Sequence, residues 1–166
     1  MQLLSLDQVD ATYDWLSSME DETQIAGVIE SFSEAQPVLL TYLMTMGESD
    51  FDLDENELML FLGVILWQTY LREGHHIGQI EESHLDGIQE QNVKMLEYLA
   101  EEGEDGFEQV ARNLMEESPQ PQLLRFLVQI IFEEEADIIK PTNQGIMFIF
   151  LKVVIDAIES SLEKKK

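Results

Sequence analysis

The chain has 166 residues, 45% of them hydrophobic, and carries 34 acidic against 9 basic side chains for a formal charge of -25. That length holds one domain or two small units sharing a core, and the apolar content excludes a disordered chain. The charge excludes direct binding to nucleic acid or anionic lipid, which need a basic footprint, and the absence of cysteine excludes disulfides, thiolate nucleophiles and Cys-based zinc or iron–sulfur sites.

In chain order, the apolar residues keep helical spacing almost throughout, which predicts an all-α protein of about eight helices. Ser5 with Gln8 fits a capping box, in which two side chains satisfy free N–H groups of a first turn. Leu6, Val9, Tyr13 and Leu16 make the stripe that follows. Asp7, Asp10 and Asp14 come too early for a secretion signal, so a cytoplasmic protein is expected. Ile25, Val28, Ile29 and Phe32 stand at i, i+3, i+4 and i+7, one face of a second helix. Pro37 suits the first turn of a third, where its missing N–H loses nothing, and Gly47 marks its stop. Asp54 with Glu57 fits another capping box, opening a fourth helix over 54–73. Its stretch Leu58 to Leu71 is nearly unbroken in apolar character but spans 14 residues, short of the ~20 a bilayer needs. A buried core helix is expected there, ended by Gly74.

The second half reads similarly. Leu85, Ile88, Leu96 and Leu99 form one stripe, and Phe107, Val110, Ala111 and Leu114 another, with a helix stop predicted at Gly103 between them. Pro121 opens the next helix, and the last covers 142–162. Its apolar part, Gly145 to Ile158, is broken by Lys152 and Asp156 and reads as a second core helix. Phe148–Leu151 and Val153–Ile155 are rich in aromatic and β-branched residues, but length and context favour helix over strand.

Self-similarity runs through the chain. Gln36-Pro37-Val38-Leu39-Leu40-Thr41-Tyr42-Leu43 recurs as Gln120-Pro121-Gln122-Leu123-Leu124-Arg125-Phe126-Leu127, an offset of 84. Trp15-Leu16 matches Tyr98-Leu99, Gln24-Ile25-Ala26 matches Gln109-Val110-Ala111, and Leu58-Met59-Leu60 matches Ile146-Met147-Phe148, all in the same order. The expectation is two tandem four-helix units, 1–78 and 79–166, packed together as one domain. Their central helices would meet around a pseudo-twofold axis, or the units would form a short solenoid-like stack.

Little in the chain points to chemistry. His75, His76 and His84 fall within ten residues, in two Glu-x-x-His patterns that put a carboxylate and an imidazole on one helical face. They are the candidate metal ligands, for zinc or nickel, set against a solvated linker at the junction of the two units. Asp50, Asp52 and Asp54 imitate the start of a calcium loop, but Glu55 and Phe61 stand where it needs glycine and glutamate. Asp54 reads better as an N-cap, with Phe51 and Leu53 tacking the loop onto the core. Two acidic runs, Glu101, Glu102, Glu104 and Asp105, then Glu133, Glu134, Glu135 and Asp137, are the candidate partner-binding residues. Lys164, Lys165 and Lys166 complement a helix end. No phosphate loop, Ser-His-Asp arrangement or paired-carboxylate motif occurs.

The reading is therefore a non-enzymatic acidic helical module without a cofactor. It binds a protein partner; a sharper version of the reading makes that partner basic, bound in the manner of an inhibitor or immunity-type protein. A metal-binding protein built on the three histidines is the alternative. A homodimer that completes the burial of its apolar helices is the third.

Overall fold

The computed structural model describes residues 3–163, apart from the side chains of residue 96 and of residues 98–110. Eight helical elements follow one another: α1 (Leu6–Ser17), α2 (Glu22–Ala35), α3 (Pro37–Thr45), α4 (Leu53–Arg72), α5 (Glu82–Glu117), α6 (Pro121–Gln129), a π-helical turn (Ile130–Glu134) and α7 (Pro141–Ser160). No strand occurs among the described residues. The one β-type feature is an isolated antiparallel bridge between Ile77 and Leu162, which ties the α4–α5 connection to the end of α7.

The core is built on α4 and α7, each 20 residues long and packed against one another. Both hold long unbroken buried stretches, Leu62–Trp67 in α4 and Met147–Leu151 in α7. α1 and α3 lie on α4, α5 and α6 lie on α7, and α1 also meets α6. Tyr13 marks that last junction, edge-on to Phe61 of α4 at 5.8 Å and to Phe126 of α6 at 6.0 Å. α7 is apolar and long enough to cross a membrane by composition alone, with 61% of its apolar window buried inside the protein. Two of its three charged residues are paired: Lys152 Nζ lies 2.7 Å from Asp156 Oδ2 and donates to Asn92 Oδ1 of α5 at 2.9 Å. A buried ion pair survives when each charge finds such partners.

Several helix ends follow the sequence signals. Ser5 and Gln8 form the reciprocal capping box at α1. Pro37, Pro121 and Pro141 each occupy a first turn. α4 ends at Gly74, whose φ of 84° needs no Cβ. There the His75 N–H donates to Tyr70 O at 3.1 Å and the Gly74 N–H to Leu71 O at 3.0 Å, the paired bonds of a Schellman end. α3 ends just before Gly47, where a Cβ would collide with the Phe51 ring and the Asn56 amide.

Three local expectations need correction. The α4 N-cap is Asp52, not Asp54, and its capping-box partner is Glu55, not Glu57. Asp52 takes the role because Glu55 is held from α7, as described below. Phe51 does tack the loop to the core, at 6% exposure, while Leu53 projects into solvent at 72%. Gly103 does not stop a helix: α5 runs from Glu82 to Glu117 without a break. A glycine costs a helix about 1 kcal/mol, and Gly103 and Gly106 together do not end α5, which continues on both sides of them.

Two residues before helices with a first-turn proline are buried glutamines. Gln36 (1% exposed) and Gln120 (0%) share nearly the same backbone angles, φ -138°, ψ 64° and φ -132°, ψ 71°. Gln36 Oε1 accepts from the Ile80 N–H at 2.9 Å and its Nε2 donates to Gly78 O at 3.0 Å. Gln120 Oε1 accepts from the Leu4 N–H at 2.9 Å. Leu4 lies two residues before α1 and Ile80 two before α5. Each glutamine thus holds the lead-in to a helix distant in sequence.

Candidate functional site

The acidity is unevenly spread. Residues 1–71 contain no lysine, arginine or histidine but fourteen aspartates and glutamates, and the first cation is Arg72. Of the fourteen, all but Glu55 are exposed. Folding therefore collects α1–α4 into a strongly acidic region, with Lys140 3.9 Å from Asp52 at its edge. Arg72 itself lies 4.9 Å over the Trp15 ring, at the border of this region. The run Glu133, Glu134, Glu135 and Asp137 joins the same face. It sits on the π turn and the segment after it, with Glu135 half-buried and the others exposed. The π turn is closed by the Glu135 N–H donating to Ile130 O at 2.8 Å. Its position beside α1 shows in Tyr13, whose phenol is pushed up by burial first and then by the Glu135 and Glu134 carboxylates. Crowding acts within α1 as well, where burial and then Asp14 and Asp7 raise the Asp10 carboxyl above its ordinary value. The side chains of Glu101, Glu102, Glu104 and Asp105 lie outside the described residues; the α5 backbone passes through them.

An open apolar cleft lies within the cation-free region. Leu16 of α1, Ile25, Val28 and Ile29 of α2, and Leu60, Phe61 and Val64 of α4 line it, with Glu57 as the charged wall residue. Its volume is about 220 Å³. The cleft exists because α2 is only partly docked. Phe32 is its one fully buried side chain, packed edge-on to Trp67 of α4 with ring centroids 4.9 Å apart. Ile25, Val28 and Ile29 stay half-buried. In sequence these four residues look like one core stripe; in the fold only Phe32 is fully buried, while Val28 packs half-buried against the core. Neither the cleft nor the missing cations were among the sequence candidates. The second was legible as a run of 71 residues without a basic side chain.

The three histidines are placed separately. His75 follows the Schellman glycine, its ring edge-on to Tyr70 at 5.7 Å and its Nε2 buried without a hydrogen-bond partner. His76 is exposed, and its carbonyl accepts from the Glu163 N–H at 2.8 Å. His84 Nε2 is hydrogen-bonded to Ser160 Oγ at 2.6 Å. Among the described residues no group of three His, Asp or Glu side chains gathers in a metal-holding arrangement. The Glu159 carboxylate lies beside the Tyr70 phenol and accepts from Gln120 Nε2 at 3.3 Å.

Burial leaves a measurable mark on two tyrosines. Burial pushes the Tyr42 phenol far above its ordinary range, and burial with the neighbouring Glu159 carboxylate does the same to Tyr70. The phenolate is the charged form, so the fold favours the protonated ring. Unfolded tyrosine ionises near pH 10, and above that the unfolded chain loses protons that the folded chain keeps. Stability is therefore expected to fall as pH rises past about 10. In an ultraviolet titration these two rings should ionise only together with loss of helical circular dichroism. Ionisation near pH 10 with helices intact would contradict their burial.

Comparison with protein-family models, with curated proteins and with solved structures finds no match to this chain.

Proposed function

We propose that the chain is a non-enzymatic protein-interaction module whose acidic surface binds a basic protein partner, as an inhibitor or immunity-type protein does. The observation that carries this reading is the absence of any cation in residues 1–71 beside thirteen exposed carboxylates. Scattered acidity solubilises a protein, whereas a single-sign field steers an oppositely charged partner and speeds its association. The fold is read further as a duplication, with α1–α4 and α5–α7 as related units of 1–78 and 79–166. The matching Gln-Pro helix starts, the equal lengths of α4 and α7 and the paired glutamine contacts support it. On this reading α5 stands for α1 and α2 fused, and the first unit, with α2 partly docked, carries the partner surface.

The test is capture from native lysate, eluted in steps of rising salt, with wild-type protein and a variant bearing Asp10→Asn, Asp14→Asn, Glu20→Gln, Asp21→Asn and Glu57→Gln. These five side chains are exposed, so the fold should persist. A basic protein held by wild type, released by moderate salt and lost from the variant is the expected result. Retention of the same proteins by both forms, or no basic partner at any salt, would refute the reading.

A further inference from the structure

The cleft between α1, α2 and α4 combines an apolar lining with one charged wall residue, Glu57, within a segment rich in carboxylates. We infer that it is the docking groove for an amphipathic helix of the partner protein, one with a leucine-type apolar stripe and lysines or arginines on its flanks. The inference rests on the proposed acidic-surface function and names the shape and chemistry of what that surface receives.

The occupant follows by elimination among chemical classes. A nucleic acid or an anionic membrane would meet thirteen exposed carboxylates, with only Arg72 and Lys140 placed at the border. A second copy pairing through the same face would oppose like charges, since a twofold interface sets a patch against itself. An extended peptide gains affinity by adding to a sheet edge, and no strand exists among the described residues. A helix satisfies its own backbone and needs from its host only a groove for side chains at i, i+3, i+4 and i+7. The groove has that form. Ile25, Val28 and Ile29 face Leu60, Phe61 and Val64 across a volume of about 220 Å³, enough for anchoring side chains though not for a whole helix. Phe32 alone buries fully on α2, so this wall can adjust to the incoming helix without unmaking the core. Glu57 in the wall and Glu22, one turn before Ile25, are placed to meet flanking cations.

The test uses synthetic peptides of about 18 residues, five helical turns, and measures binding by calorimetry at low salt and at about 1 M salt, where screening reaches ~3 Å. The first peptide is a leucine–lysine amphipathic helix, the second a scramble of the same composition, the third the same pattern with glutamate for lysine. The proteins are wild type and the charge-neutral double variant Ile25→Gln, Ile29→Gln, its fold checked by circular dichroism. The expected result is binding of the first peptide about tenfold or more tighter than the scramble. That preference should disappear in the double variant, and the glutamate peptide should not bind. Should the variant fail to fold, the comparison of the peptides on wild type still decides. Equal binding of peptide and scramble, insensitive to the variant and abolished by salt, would overturn the groove and leave the acidic-surface reading standing. Binding of the glutamate peptide would overturn the cationic partner. No binding of any lysine peptide at low salt would overturn both.

Discussion

Replacing Glu55 by alanine is expected to destabilise the protein by about 2–4 kcal/mol, because several donors lose one shared acceptor together. Its side chain is fully buried and joins the starts of the two core helices. Oε1 accepts from the Asp52 N–H at 3.0 Å, completing the α4 cap, and Oε2 accepts from the Lys140 N–H at 3.1 Å and from Asn143 Nδ2 at 2.9 Å, both at the start of α7. Alanine takes the acceptor from three donors, of which the Asn143 bond is buried and the other two part-buried, and an unsatisfied buried group costs about 1–3 kcal/mol. The Lys140 ammonium, 4.0 Å from Oε1 and 58% exposed, contributes little, as solvent screens it. Accordingly Lys140→Ala should shift the urea midpoint only slightly while Glu55→Ala shifts it strongly. Equal effects would mean that the ion pair, not the backbone donors, holds this junction.

The second large effect is expected at Gln36. Gln36→Ala should cost about 2–4 kcal/mol, because the buried Ile80 N–H and the Gly78 carbonyl lose their partner together. Gln36→Glu separates the two bonds. The carboxylate can still accept from Ile80, but it sets negative charge against the Gly78 oxygen. The fold then favours the protonated acid, raising its folded pKa above the unfolded value near 4.3. That variant's stability should be greatest below about pH 4 and fall as pH rises. Hydrogen exchange at the Ile80 amide is the local readout, and unchanged protection in Gln36→Ala would show that another group can cap it.

Helix type and placement were legible along most of the chain because amphipathic spacing, first-turn prolines and Gly74 are local signals. The misplacements have one cause. Asp52-Leu53-Asp54-Glu55-Asn56-Glu57 offers two capping boxes two residues apart, and the choice between them lies in Lys140 and Asn143, more than eighty residues away. Gly103 is a helix stop by type but not by context, since nothing there demands a positive φ. The candidate groove was hidden for a similar reason. Ile25, Val28, Ile29 and Phe32 carry the pattern of a buried stripe, and no local signal says that only Phe32 of the four is fully buried. The histidines cluster in sequence because a turn and a helix start adjoin there, and the fold then sends each ring to different neighbours.

The two glutamine contacts also bear on the order in which the chain can be made and folded. Leu4 is held by Gln120, 116 residues later, and α1 rests partly on α6. A ribosome releases α1 through α4 long before Gln120 exists. Through that interval the apolar helix α4 lacks α7, and the lead-in to α1 lacks its acceptor. Closure of such distant contacts waits until α6 has been made and carries a loop-closure entropy. A nascent chain of this protein is thus an acidic, helical and unfinished object until its last helices emerge, and its charge would keep neighbouring unfinished copies apart during the delay.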